Sequence, residues 1–270
     1  MSAHSGFLDP SGPLTGASST AFWLFASATF LMVATSVAIA ARETLRLRTA
    51  LPFVVFASAT LWLPNEPFID QILGFQYASD APGTMYIEAG RPIPVSVLGV
   101  GAMFFIFTWI IYRLILSGTP RSRIVAIAVV AGVIDWPLEM LAIHYNVFEY
   151  YGHNPSRVLG LPLTSMVQNC FVYVFMASVL VLCAPRMKGW RALLFLPVIP
   201  GCYYGVALVC TWPAYLALHT GASTGLFIPL ALISAAMNAY IPLVLLGITA
   251  PDRSAAQAED VPAEPELVVA

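Results

Sequence analysis

Asp135 and Glu139 stand four residues apart in the stretch Asp135-Trp136-Pro137-Leu138-Glu139, inside an otherwise apolar run. On a helix that interval puts both carboxyl groups on one face. A charge near the bilayer centre costs about 2.5–3.5 kcal/mol on insertion scales, so such a face turns toward a bundle interior or a wet cavity and marks a functional site. Other runs bring polar groups to similar depth: Asn65, Glu66 and Asp70 beyond Trp62, then Gln168 and Asn169, and more deeply Asn238. Carboxylic acids in an apolar, aromatic-walled pocket keep a proton at neutral pH, because desolvation disfavours the charged form. A protonated acid facing π-surfaces suits carbocation chemistry: it protonates an alkene or an epoxide, and the rings stabilise the cation that results.

The candidate catalytic set is therefore Glu66, Asp70, Asp135, Glu139 and Asn169. Trp62, Asn65, Trp136, His144, Tyr145, Tyr151, Asn238 and Tyr240 are the candidate substrate-binding residues. Several have a plainer alternative, and Glu66, bracketed by Pro64 and Pro67, equally suits a helix terminus. Asn169 and Asn238 equally suit ties between helices, and Tyr150, Trp212 and Tyr215 suit an interfacial aromatic belt. Asp70, Asp80, Glu88 and Glu149 also suit a solvated surface, where Arg91 or Arg157 pairs with one of them. For Asp135 and Glu139 the plain reading is weakest, since no Lys or Arg lies in that half of any apolar run.

The elements that must position these groups follow from composition. Of 270 residues 59% are hydrophobic and 10% charged, whereas a soluble domain carries about 25% charged residues. Mean hydropathy is +0.81. The chain reads as an all-α polytopic protein, with a flexible segment at 1–20, a transmembrane domain at 21–250 and a disordered acidic tail at 251–270. Seven spans are expected, beginning near Ala21, Ala50, Ile93, Ile124, Leu161, Ala192 and Thr224. Ten basic residues (Arg42, Arg46, Arg48, Arg113, Arg121, Arg123, Arg186, Lys188, Arg191, Arg253) fall on one side, and Arg91 and Arg157 on the other. The positive-inside rule then puts the amino terminus outside and the carboxyl terminus in the cytoplasm. Such a chain belongs in a bacterial-type cell membrane as a multi-pass protein.

Several functions drop out. The single lysine, Lys188, lies in a loop, so no intramembrane amine exists for a retinal Schiff base. There is no H-E-x-x-H zinc motif, GxSxG elbow or Gly-rich phosphate loop, and nothing points to nucleic acid. One acidic cluster at Asn65-Glu66 and Asp70, without a second, is weak as a magnesium-diphosphate site. Cys170, Cys183, Cys202 and Cys210 lack metal-ligand spacing and read as small core residues.

Trp62 followed by Glu66, the acids Asp135 and Glu139 in the fourth span, and Tyr145, Tyr150 and Tyr151 before a Leu-Pro start to the next span together resemble the integral-membrane terpene cyclases of meroterpenoid pathways. More distantly they are similar to the membrane carotenoid hydratases and cyclases. The resemblance covers the second to fifth spans best. It implies proton-initiated, class II type cyclisation of a lipophilic polyprenyl substrate or its epoxide, with no redox cofactor and no obligatory metal. Glu66, Asp135 and Glu139 match the acidic positions, which makes Glu139 and Glu66 the expected acid and partner, Asp135 their hydrogen-bonded support and Asn169 the positioning residue, while the loop from Tyr145 to Asn154 departs from the pattern. The alternatives are an isoprenoid or carotenoid hydratase, which begins with the same protonation, and a non-catalytic proton, ion or lipid transport protein.

Overall fold

The structure, a computed structural model, describes residues 8–250. Residues 1–7 and the expected acidic tail 251–270, with Arg253, lie outside the described residues. A chain this apolar satisfies its peptide groups internally by forming helices. Six of them are long and apolar enough to cross a bilayer: Ser19–Leu47, Val95–Leu116, Arg121–His144, Leu163–Arg186, Gly189–Cys210 and Thr224–Thr249.

Helix α1 (Ser19–Leu47) starts where the Ser18 hydroxyl accepts the Ala21 N–H. It continues past the expected stop near Ala41, and Glu43 is neutralised there by Arg46 one turn later, at 2.7 Å. The expected second span is interrupted. Helix α2 (Leu51–Thr60) has 10 residues, a rise of about 15 Å, or half a hydrocarbon core. Pro64 and Pro67 lack N–H groups, and the chain passes through a 3-10 turn, Leu63–Asn65, into the short helix α3 (Glu66–Leu73).

The loops are more ordered than an all-α reading expects. Strands β1 (Phe75–Tyr77), β2 (Thr84–Glu88) and β3 (Arg91–Pro94) occupy the loop before α4 (Leu98–Leu116). After α5 (Arg121–His144) come β4 (Phe148–Tyr150), β5 (Arg157–Val158) and β6 (Leu161–Pro162), which leads into α6 (Leu163–Cys183). Antiparallel pairing of β1 with β4 sets Phe75 opposite Tyr150 and Tyr77 opposite Phe148. The pairs β2–β3 and β5–β6 are local hairpins. Backbone groups that no helix satisfies are thus closed across loops 73 residues apart, as at Gln76 and Glu149, whose side chains also bond at 2.6 Å.

The expected sixth span is a series of short pieces: a 3-10 run (Gly189–Phe195), α7 (Val198–Tyr204), a π-helical turn (Gly205–Cys210) and α8 (Trp212–His219). Pro197, Pro200 and Pro213 interrupt it. The last helix, α9 (Thr224–Thr249), packs along α6, and the Arg121 guanidinium caps its end by donating to the carbonyls of Gly247 and Ala250. The principal core lies where α2, α4, α6 and α7 meet, around Trp62, Phe105, Met176 and Phe195.

Residues 8–18, expected as part of a flexible segment, are tied down at several points. The Leu8 N–H donates to His219 Nδ1 at 2.9 Å, the Gly16 and Ala17 N–H groups donate to the Asp80 carboxylate at 2.6 and 3.3 Å, and the Ser18 N–H donates to the Tyr145 carbonyl at 3.1 Å. The Gly16 bond, the largest influence, holds the Asp80 carboxyl below its ordinary range. Asp80 is thus a local anchor for this segment.

Candidate functional site

The site forms where α5 and α6 cross closely. Gly132 sits at the crossing, with the Cys170 backbone so near that an added Cβ would lie 2.7 Å from both its Cα and its nitrogen. Small residues at such positions let membrane helices approach. One turn beyond Gly132 is Asp135, and adjacent to Cys170 is Asn169, so the close crossing brings them together. The Asn169 amide donates to Asp135 Oδ2 at 2.7 Å and to Glu139 Oε1 at 2.9 Å. One side chain thereby spends both of its N–H groups on joining two carboxyl groups. Tyr150 Oη donates to Glu139 Oε2 at 3.4 Å and is 3.1 Å from Ser165 Oγ.

Across from this pair, α3 contributes Glu66 and Asp70, also four residues apart and only 6% and 1% exposed. Tyr77 Oη donates to Glu66 Oε1 at 2.7 Å. Burial, and after it the Glu66 charge, pushes the Tyr77 phenol well above its ordinary range, so it remains a neutral donor. Glu66 Oε2, Asp70 Oδ2 and Trp62 Nε1 are buried without hydrogen-bond partners. The Trp62 N–H lies near the Glu66 carboxyl but does not complete a bond with it. Buried polar atoms left in this state mark strain, catalysis or an interacting group.

Both acid pairs face one cavity of about 250 Å³. Its walls are α1 (Phe25, Ala28, Thr29, Met32), α4 (Gly99, Val100, Met103, Phe104), the acids of α3 and α5, and Ser165, Asn169 and Tyr173 of α6. Tyr203 completes it from α7, and Phe75, Tyr77, Phe148 and Tyr150 of β1 and β4 close its end. Trp62 and Tyr203 lie 4.2 Å apart between ring centres, and Phe104 is 5.1 Å from Tyr203 and 6.2 Å from Tyr173. Among the described residues, four carboxyl groups and no Lys, Arg or His line this space. Asp135 and Glu139 are partly exposed and line the cavity. Near the loop end α1 meets Ala142 and Val147, whereas farther along α1 and α5 make no extended contact. Leu138, which lines the cavity from α5, is 48% exposed.

Glu66, Asp70, Asp135, Glu139, Asn169 and Trp62 are thus brought together. Most of the expected substrate-binding residues are not. Asn65 donates to the Leu61 carbonyl at 2.8 Å and accepts from Tyr204 at 3.2 Å. Trp136 fastens α5 to α6 through the Met166 carbonyl at 3.0 Å. His144 and Tyr145 stack edge to face at the exposed end of α5. Tyr151 receives a hydrogen bond from Arg91 at 2.9 Å. Asn238 is a tie, donating to Thr211 Oγ1 at 2.8 Å and the Ser234 carbonyl at 2.9 Å. Tyr240, two residues on and so on the opposite helix face, is 69% exposed. Among the described residues no group of three or more His, Cys, Asp or Glu is placed to hold a metal ion, and the four cysteines are free thiols.

Tyr203 is one of the aromatic residues expected around the acids, whereas Tyr77, Tyr150, Ser165 and Tyr173 are among the lining residues that sequence reasoning misses. One signal was present: Ser165, Asn169 and Tyr173 repeat at intervals of four, the mark of a single helix face.

Asn169→Leu is expected to destabilise the protein by about 1–3 kcal/mol, because two buried acceptors lose their donor while the shape is nearly kept. Chemical unfolding in detergent, compared with Asn238→Leu as a second buried tie, measures this. No protein-family model, curated protein or solved structure matches the chain.

Proposed function

We propose that this protein is a membrane-embedded isoprenoid cyclase that starts its reaction with a proton from the Asp135–Glu139 pair. The observation that carries the reading is the single Asn169 amide joining two carboxyl groups that face an aromatic-walled cavity without a cation. Two like charges so close in an apolar site cannot both persist, so the pair shares a proton. Glu139, which accepts from both Asn169 and Tyr150, delivers it to a terminal alkene carbon or epoxide oxygen. Internal alkenes attack the resulting cation in turn, and loss of one C–H proton to a carboxylate restores charge balance. Substrate and product are isomers, and no electrons are exchanged. Trp62, Phe104, Tyr173 and Tyr203 supply ring faces to the migrating cation.

A cavity of about 250 Å³ is at the small end for ligand sites. It takes the reacting end of a chain, while the remainder leaves laterally between α1 and α5. In this reading the broken α2–α3 segment makes one of seven passes, the amino terminus is outside, and the resemblance to the integral-membrane terpene cyclases is one of function.

A second reading is favoured by one observation. Glu66 Oε2, Asp70 Oδ2 and Trp62 Nε1, two acceptors and a donor without partners, match the hydrogen-bonding capacity of a water molecule. Water held there would capture the cation and make the protein a hydratase.

Lipid extracts of a polyprenyl-producing host, with and without the native chain, test both. A new compound isomeric with a precursor supports cyclisation, and one heavier by a single water, carrying label from ¹⁸O-water, supports hydration. If the precursor is present and unchanged, while the purified chain carries pH-driven cation flux in liposomes, the enzyme reading falls and transport replaces it.

A further inference from the structure

Behind the acid pair lies a second, water-sized chamber of about 10 Å³, lined by Asn154, Thr164, Tyr215 and Leu218 among others. Leu73, Tyr150 and Ser165 line both this chamber and the main cavity, so together they are the partition between the two. The chamber's volume is about that needed for one water, and its hydroxyl and amide lining offers the several polar partners a buried water requires. Asn154 belongs to the partly exposed loop between β4 and β5, so the chamber lies toward solvent.

The two polar members of the partition are hydrogen-bonded in series. Ser165 Oγ is 3.1 Å from Tyr150 Oη, and Tyr150 Oη donates to Glu139 Oε2 at 3.4 Å. From these contacts we infer that Tyr150 and Ser165 form a proton relay that reloads Glu139 from water in the loop-side chamber, on the face away from the substrate. A hydroxyl passes a proton without changing its own charge: Tyr150 gives its phenolic proton to the Glu139 carboxylate and takes one from Ser165. Ser165 in turn takes a proton from the chamber water, which is resupplied from solvent. The chamber water takes a proton from solvent as it gives one up, one proton reaches Glu139, and neither hydroxyl is altered. The proton that the substrate cation loses to a second carboxylate of the cavity leaves to solvent after product release, so each turnover consumes no net proton. Burial, and next the Glu139 charge, pushes the Tyr150 phenol well above its ordinary range, so the group conducts by exchange and does not ionise. An apolar substrate filling the main cavity would bar water from that side, which is why a separate supply matters. The relay rests on the reading of Glu139 as a proton-holding acid.

The test is the hydrogen–deuterium exchange of the protonated Glu139 carboxyl, followed by infrared spectroscopy of the full-length chain in liposomes after a switch to D₂O. The band is identified by its disappearance in Glu139→Gln. Dodecane dissolved in the bilayer serves as the probe that excludes water from the cavity. With dodecane present, Tyr150→Phe and Ser165→Ala are expected to slow exchange about tenfold, a barrier change of the size given by one lost hydrogen-bonded step. Ser165→Thr, which keeps the hydroxyl, is expected to exchange at the native rate. Equal rates in all four chains would overturn the relay while leaving the acid reading intact. Absence of any Glu139-dependent carboxyl band would overturn the acid reading and the relay with it.

Discussion

Glu139→Gln is expected to lower product formation by about 10²–10⁴-fold, the contribution of a positioned general acid, with the fold unchanged. The substitution is nearly isosteric. The glutamine oxygen still accepts the Asn169 amide, which now reaches Glu139 at 2.9 Å, and the new amide nitrogen donates toward Asp135. What is lost is the acidic proton. Asp135→Asn is expected to do less, because the Tyr150 hydroxyl bonds to Glu139, whereas Asp135 is tied to that acid through the shared Asn169 amide. If the two variants fall equally, the proton belongs to the pair as a unit, as coupled acids allow. Tyr240→Ala is the control: with the ring 69% exposed on the outer face of α9, turnover stays native. Rates of product appearance per unit of folded protein, with size-exclusion profiles in detergent for each variant, give the comparison. A Glu139→Gln rate near native would remove Glu139 from the chemistry.

The parts of this site that were legible in the sequence are those written in local spacing. Asp135 and Glu139 announce one helix face by their interval, and the apolar run around them announces that the face is turned inward. Asn169 is a polar residue in a comparable run, and its role required only that α6 lie beside α5. The two prolines flanking Asn65-Glu66 equally mark the point where a helix must break, yet they do not reveal that α2 ends as early as Thr60. Tyr77 and Tyr150 are different in kind. They reach the cavity because β1 and β4 pair across most of two spans, and no local pattern encodes a pairing between loops so distant in the chain. Tyr150 in particular has the position of an interfacial belt residue, and only the strand pairing turns it inward. His144 and Tyr145, at the end of α5, misled for a different reason: they face outward because the helix ends there and the chain turns at Asn146, which has φ 53°.

The close approach of α5 and α6 makes a further expectation that is independent of acid chemistry. Gly132→Ala should reduce turnover about 10²-fold, the effect of displacing reacting groups by roughly 1 Å, although it touches no group in the cavity. An alanine Cβ at this position would lie 2.5 Å from Cys170 Sγ and 2.7 Å from the Cys170 Cα and nitrogen. The thiol could rotate away, but the backbone atoms could not, so α5 must move off α6. The Asn169 bonds to Asp135 and Glu139, at 2.7 and 2.9 Å, stand next to that contact and lengthen with it. Overpacking of this kind costs about 1–3 kcal/mol in stability, which thermal unfolding in detergent would register alongside the rate. The backbone origin of the clash has its own signature: Cys170→Ala added to Gly132→Ala removes the sulfur and is expected to restore neither stability nor turnover. Recovery in that double variant would mean that the side chain alone sets the helix spacing, and that the acid pair is held by something other than the crossing at Gly132.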